Sequence, residues 1–375
     1  MIMSSIQDVR AHAITHSLFP PTKLKGAIEK LGFVQADPIR APAAAQDLIL
    51  RHRVKDYRAG DLERRYSSLD IEEDVLYAYG FLPRPVWQLL HPRDTKDLTR
   101  LEKNILDTLR RFGEMHPRDL EEHFGRDRTI NAWGGHSKVT TRALEDLHYR
   151  GLLRIARREK GIRVYQPAPP FSQVISPMER SRKLVMVVAN ILAPVPQQSF
   201  VETLSRIRHS APSLGNARTI LDELHHAGEL LSATIDGITY VLTPPKRTHT
   251  EVPRCVRFLA PFDPLVWDRR RFEHLWGWRY RFEAYTPQAK RERGYYAMPL
   301  LWADTIIGWA NVFISEARLN VDLGFIEKRP RDPSFRSELA AEILRLQTFL
   351  KLEDADHSDV AAIVAKALKQ SVVSQ

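Results

Sequence analysis

A single cysteine, Cys255, stands among 375 residues, which excludes an internal disulfide framework and any zinc module built on thiolates, and fits a reducing compartment. No apolar run approaches the ~20 residues that span a bilayer, so a membrane is not an expected partner. The segment Met1 to Val9 lacks the basic-then-apolar layout of a signal peptide, and the cytoplasm is the expected location. Metal would have to be held by His and carboxylates. His12 and His16 have the i, i+4 spacing of a helix face, yet no Glu sits where a zinc hydrolase motif requires it, and no metal is expected. Gly32, Gly60 and Gly80 stand alone, with no G-x-x-x-x-G-K or G-x-G-x-x-G. That argues against an NTPase or a dinucleotide enzyme, and no cofactor is expected. Serine nucleophile elbows are missing too, and Cys255 falls in an expected strand without a nearby His, so it reads as packing rather than as a nucleophile.

With 43% hydrophobic and 27% charged residues, the chain has the composition of an ordinary globular protein, and its length calls for several modules rather than one core. The net charge of +10 is clumped at Arg51 to Arg58, Arg154 to Arg163 and Arg269 to Arg293. Basic clusters interleaved with Trp and Tyr are the footprint of a polyanion partner, nucleic acid above all; solvated faces are the alternative.

The first module, residues 1–96, begins with helices over about Ile6 to Leu18 and Lys23 to Leu31. The second of these ends at Gly32 as a helix C-terminus should. The run Phe33-Val34-Gln35-Ala36-Asp37-Pro38 then reads as a short strand. A period of two puts Gln35 and Asp37 on one face and Val34 and Ala36 on the other, and Pro38 ends the ladder. An amide and a carboxylate thus meet at a strand end, where a scaffold can fix them and a loop can leave them accessible. Asp before Pro is also ordinary turn chemistry, its carboxylate bonding nearby N–H groups. The third helix carries Leu48 to Leu50 and ends at Arg51 and Arg53. Tyr77, Tyr79, Phe81 and Trp87 read as a helical aromatic packing cluster, and Asp94 and Lys96 as a linker.

Residues 97–170 show three helices and a hairpin. Leu98, Leu101, Ile105, Leu109 and Phe112 share a helix face, a short helix follows Pro117, and the turn Gly134-Gly135-His136-Ser137 precedes a third. Two strands then flank Arg157-Arg158-Glu159-Lys160-Gly161. This is the order of a winged helix, with a basic wing. Residues 171–247 repeat it: Leu144, Leu147, His148, Gly151 and Leu153 match Leu221, Leu224, His225, Gly228 and Leu230, each 77 positions on. In this copy Ser181 to Leu192 is almost wholly apolar, and Asp236-Gly237 is a type I′ turn signal. Its wing is less basic, so the first copy is expected to touch the polyanion more. Residues 248–332 alternate with a period of two, with strands expected at Val256 to Ala260, Phe282 to Tyr285, Gly294 to Leu300 and Ile306 to Val312, a small antiparallel barrel. An amphipathic helix from Ser334 to Leu352 closes the chain, and the tail of 333–375 beyond it is expected to be loosely ordered. The fold class is α+β: tandem winged-helix modules, a β-barrel-like domain and a C-terminal helix.

Gln35-Ala36-Asp37-Pro38-Ile39, the winged-helix pair, the run Pro261-Phe262-Asp263-Pro264-Leu265-Val266-Trp267-Asp268-Arg269-Arg270-Arg271, then Glu283-Ala284-Tyr285 and Lys290-Arg291 to Tyr295-Tyr296 together resemble the AlkZ/YcaQ family of bacterial DNA glycosylases. The resemblance spans nearly the whole chain. It implies excision of N7-alkylated guanine in base excision repair, including unhooking of interstrand crosslinks, on double-stranded DNA, and maps the family's catalytic pair onto Gln35 and Asp37. The AlkZ branch carries Gln at the second position. Asp37 resembles the YcaQ branch instead, which implies general alkylation repair rather than antibiotic self-resistance.

These residue types suit that chemistry. An N7-alkylguanine already carries positive charge, so the base leaves without a general acid, and one carboxylate can both stabilise the oxocarbenium-like sugar and take a proton from water. Gln35 can orient that water. No lysine or terminal amine is evident at this strand for a Schiff base, so monofunctional hydrolysis is expected, by a monomer. Arg51, Arg53, Arg157, Arg158, Lys160, Arg269, Arg270 and Arg271 are the expected phosphate contacts; pairs of Arg269 to Arg271 with Glu273 and Glu283 are the alternative. The competing function is a non-catalytic winged-helix regulator, for which tandem modules and a basic stripe would suffice.

Overall fold

A computed structural model describes residues 3–93, 97–125, 128–130, 136–170, 175–244, 251–352 and 357–373. The Asp94 to Lys96 linker and the Gly134-Gly135 turn lie outside them.

The N-terminal part runs α1 (Ile6–Ser17), α2 (Leu24–Leu31), β1 (Val34–Gln35), α3 (Ala45–Leu50), α4 (Asp61–Arg65), β2 (Ile71–Val75), β3 (Tyr79–Pro83) and α5 (Arg84–Gln88). Its strands form a sheet in the order β1-β3-β2. Of the expected helical cluster Tyr77, Tyr79, Phe81 and Trp87, only Trp87 lies on a helix, α5. Tyr79 and Phe81 lie on a strand paired to Val75 and Glu73, and their alternation with Gly80 has the period of a strand. Tyr77, at the hairpin turn, meets Phe33 at 4.9 Å and Trp267 at 4.5 Å, so it joins this part to a distant segment of the chain.

Two similar units follow. The first has α6 (Arg100–Phe112), α7 (Pro117–Phe124), β4 (Arg128–Ile130), β5 (His136–Lys138), α8 (Val139–Tyr149) and the hairpin β6 (Leu153–Glu159) with β7 (Ile162–Pro167). The second has α9 (Pro177–Leu192), β8 (Val195–Pro196), α10 (Gln197–Ile207), α11 (Ala217–His226) and the hairpin β9 (Leu231–Ile235) with β10 (Ile238–Leu242). Each is three helices and a hairpin. Asp236 and Gly237 turn the second hairpin at φ 49° and 78°, the two positive values a type I′ turn requires. α9 is buried along Leu184, Val185, Val188, Ala189, Ile191 and Leu192, as its apolar sequence predicts.

The last part contains β11 (Val256–Phe258), α12 (Pro264–Trp267), α13 (Arg269–Trp276), β12 (Met298–Trp302), β13 (Thr305–Ser315), β14 (Arg318–Phe325), α14 (Pro333–Leu350), α15 (His357–Lys369) and β15 (Val372–Val373). Its five strands follow one another in order and curl into a half-barrel, with α14 against β11 and α15 against β14. Three expectations are corrected. Phe282 to Tyr285 is not a strand; those residues leave the sheet and stack as a loop. Arg318 to Phe325, passed over in the sequence, is a full strand paired to β13. The tail is not loose over residues 357–373, because Val360, Ile363, Val364 and Ala367 bury one face of α15 and β15 adds parallel to β14.

Candidate active site

β1 begins one residue after Phe33, which is buried, and pairs with β3 as Val34 with Phe81 and Gln35 with Gly80. The close approach is possible because position 80 is glycine: a Cβ there would lie 2.4 Å from the Val34 carbonyl oxygen and 2.6 Å from the Phe33 ring. The ladder continues one residue further, the Ala36 N–H donating to the Tyr79 carbonyl at 2.9 Å. The extended backbone therefore carries Gln35 and Asp37 out on one side, while Val34 is fully buried and Ala36 packs against the core.

Asp37 is half-buried. The Ile39 N–H donates to its Oδ1 at 2.9 Å, an Asx-type bond that fixes the carboxylate. The turn expected of an Asp before Pro is therefore present, and it uses one of the two carboxylate oxygens. Burial pushes the carboxyl above its ordinary range, and the Ile39 bond opposes the shift. Beside it, Gln35 Oε1 is buried with no hydrogen-bond partner among the described residues. A buried acceptor without a donor calls for a water or a substrate group.

The C-terminal part carries a cluster of aromatic rings. Phe262 meets Phe282 edge-on at 5.0 Å, and Phe282 meets Tyr296 edge-on at 5.4 Å. Tyr285 stacks at the rim, 79% exposed. Burial, then Tyr280, then the Asp37 charge hold the Tyr296 phenol well above its ordinary range.

Several expected phosphate contacts are engaged in the interior. Arg53 is fully buried, its guanidinium bidentate on Asp263 at 2.8 and 2.9 Å and also bonded to Ser17 and Ile49. Arg51 pairs with buried Glu342 at 2.7 Å and bonds the Phe258 carbonyl. Arg271 is buried on the carbonyls of Leu192, Pro194 and Pro264. None of the three can reach a phosphate without unfolding its surroundings. Arg269 bonds the carbonyls of Pro261 and Val266 at 2.9 and 2.7 Å and lies over the Tyr280 ring, so it braces the loop carrying Phe262. The alternative pairing with Glu273 and Glu283 is not found: Glu273 faces Arg279, and Glu283 faces Arg293. Arg270 is exposed and pairs with Glu202 at 2.7 Å.

The first hairpin is folded inward rather than held free. β2 buries Glu72, Glu73 and Asp74 in succession, and arginines answer each one. Arg154 and Arg84 reach Glu72 at 3.0 Å, Arg158 takes Glu73 with its Nε at 2.9 Å, and Arg93 takes Asp74 at 2.9 Å. Arg158 is thus turned toward Glu73. Arg157, paired with Glu114 and Glu159, and Lys160 at the tip remain on the surface. His12 and His16 stack at 5.8 Å, and among the described residues no group of three or more His, Cys, Asp or Glu could hold a metal.

A family model described as DNA glycosylase AlkZ-like matches residues 28–349, which include both Gln35 and the aromatic cluster. The fold is similar to the Streptomyces sahachiroi DNA glycosylase AlkZ, with a TM-score of 0.60 over 93% of this chain and 97% of that one, at 13% sequence identity.

Proposed function

The chain belongs to the AlkZ-like DNA glycosylase family, and we propose that it hydrolyses the N-glycosidic bond of N7-alkylated guanine in duplex DNA, crosslinked guanines included, as a monofunctional enzyme of the YcaQ-like branch. Membership implies DNA as substrate and N-glycosyl cleavage as reaction. The observation that carries the finer reading is the half-buried Asp37, tied by one oxygen to Ile39 and left with the other beside the unpaired Gln35 Oε1.

That free oxygen is the base. The cationic nucleobase departs with the electron pair of the bond to the sugar, which neutralises it, so no acid has to protonate it. The water oxygen bonds to the anomeric carbon, one water proton passes to Asp37, and the carboxylate stabilises positive charge on the sugar on the way. Gln35 accepts the second water proton in a hydrogen bond and so sets the direction of attack. The flat aromatic surfaces of Phe262, Phe282 and Tyr285 suit an unstacked base. The two helix-and-hairpin units act as winged helices that hold the duplex, with Arg157, Lys160 and Arg270 as exposed phosphate contacts.

The test is incubation of the purified protein with a duplex carrying one N7-methylguanine. Strand breaks that develop only after alkali are expected. Breaks without alkali would replace hydrolysis by a lyase route, and sequence-preferring binding with no excision would point to a regulator.

A further inference from the structure

Gln35 and Asp37 hang on very little sheet. β1 is two residues long, and opposite Gln35 it meets Gly80, which has no side chain to pack. The last bond of that ladder runs from the Ala36 N–H, between the two site residues, to the Tyr79 carbonyl at 2.9 Å. Whatever holds Tyr79 therefore holds the run Gln35-Ala36-Asp37. Opposed residues of paired strands share a face, and neighbours along a strand alternate. The pairing of Val34 with Phe81 thus puts Ala36 and Tyr79 on one face, with Gln35 and Gly80 on the other.

The first hairpin grips Tyr79 from both of its strands. The Tyr79 hydroxyl donates to Glu73 of β2 at 2.6 Å. Glu73 is fully buried, and Arg158 of β6 holds it through Nε at 2.9 and 3.2 Å and through Nη2 as well. From β7, the Arg163 guanidinium lies over the Tyr79 ring at 4.8 Å. Arg158 and Arg163 stand directly opposite one another in the hairpin. Like charges in that relation repel, and here the Glu73 carboxylate and the face of the Tyr79 ring offset the repulsion. The Arg154 pair with Glu72, one residue away on β2, ties the same hairpin to the same strand through a side chain that alternates away from Glu73.

We propose that the first wing braces the strand that carries Gln35, with Arg158 and Tyr79 as positioning residues for excision. Arg158 fixes Glu73, Glu73 fixes the Tyr79 phenol, and the Tyr79 backbone fixes Ala36 between the two site residues. The inference rests on the hydrolytic reading above. Neither positioning residue touches substrate or exchanges a proton; they act by geometry, since a reacting constellation has to be held to within about 0.5 Å. The hairpin thereby divides its cations between two tasks. Arg158 and Arg163 face the sheet, while Arg157 and Lys160 stay on the surface for the duplex.

Tyr79→Phe keeps the ring under Arg163 and the pair of Arg158 with Glu73, and removes only the bond between hydroxyl and carboxylate. Arg158→Gln removes the charge that holds Glu73. In each, single-turnover excision of N7-methylguanine at saturating duplex should fall about 10-fold, the size of one hydrogen bond. DNA affinity and its salt slope should stay at wild-type values. Together the two losses should come to less than their product, because both act through Glu73. Arg154→Gln is the control: it removes another ion pair between the wing and β2 and should leave the saturated rate at wild type. Rates are read well below each melting temperature, and Tyr79→Phe, which strands no buried charge, carries the test if Arg158→Gln does not fold. Weaker binding by Arg158→Gln with a salt slope flattened by roughly one unit, at an unchanged saturated rate, would make Arg158 a phosphate contact and overturn the brace. Arg154→Gln slowing excision as much as Tyr79→Phe would overturn it too, by reducing the effect to lost stability. Wild-type rates for Tyr79→Phe and Arg158→Gln with Asp37→Asn inactive would remove the brace and leave the hydrolytic reading standing, whereas a wild-type rate for Asp37→Asn would remove both.

Discussion

Arg53 and Asp263 form a bidentate ion pair with both side chains fully buried, and this pair ties the segment after α3 to the residue next to Phe262. Arg53 follows α3, which packs against β1; Asp263 follows Phe262 directly and caps α12 through the Leu265 N–H at 3.0 Å. Arg51 and His52 extend the clamp to the Phe258 carbonyl at 2.8 and 3.0 Å. The start of the basic run that looks like a phosphate footprint in sequence is thus a seam between the N-terminal and C-terminal parts of the chain.

Arg53→Ala leaves a buried carboxylate without its partner, and breaking such a pair costs about 3–5 kcal/mol. Denaturant unfolding should show that loss. The salt dependence of DNA binding, measured on the fraction that stays folded, should keep its wild-type slope, because Arg53 releases no counterions from DNA.

Surface cations should behave in the opposite way. Lys160→Ala and Arg270→Ala are expected to leave stability within ~0.5 kcal/mol and to flatten the slope of log affinity against log salt by roughly one unit each. The exposed Arg270 pair with Glu202 is worth little in water and can be exchanged for a phosphate. Slopes equal to wild type in both would remove these residues from the interface.

Asp37→Asn removes the charge and keeps the shape, whereas Gln35→Ala removes the positioning and keeps the charge. Each should lower the single-turnover excision rate by about 10²-fold or more. DNA affinity should hold or rise for Asp37→Asn, since a carboxylate facing a polyanion opposes binding. A folded Asp37→Asn protein excising at the wild-type rate would refute the assignment.

The raised carboxyl of Asp37 has two consequences for pH. The base works only when ionised, so excision should decline on acidification through a midpoint above the ordinary aspartate value, and Asp37→Asn should abolish that limb. A carboxyl whose folded value lies above its unfolded one is held at a cost when ionised, a cost present at neutral pH and absent once both states are protonated. Asp37→Asn should therefore melt no lower than wild type at pH 7, with any gain vanishing toward pH ~3.8.

Gly80→Ala tests the scaffold without touching the chemistry. A Cβ 2.4 Å from the Val34 carbonyl oxygen must push β1 away from β3, and Gln35 moves with it. Excision should fall by about 10²-fold, the scale of a 1 Å misplacement, with the protein still binding DNA. An unaltered rate would show that the β1 position does not govern the site.

Local pattern was enough for the elements that bury one face against a neighbour close in sequence. The repeat of three helices and a hairpin follows from helical spacing at Ile105 and Leu109, from the apolar α9, and from matches 77 positions apart; the short strand at Val34 and Gln35 follows from its alternation and from the Pro38 that keeps it short. Local pattern failed where a residue's partner is remote. Tyr77 to Trp87 reads as packing but not as a hairpin, since Glu72, Glu73 and Asp74 look exposed until Arg84 and Arg93 of the same part and Arg154 and Arg158 of the next unit cover them. Arg51, Arg53 and Arg271 look like DNA ligands for the same reason: a positive charge carries no label for the anion or carbonyl it will meet. Arg53 and Asp263 lie 210 positions apart, and only the tertiary fold brings that guanidinium and that carboxylate together in the interior. That juxtaposition depends on long-range packing and on buried charge, neither of which has a period that a sequence can display.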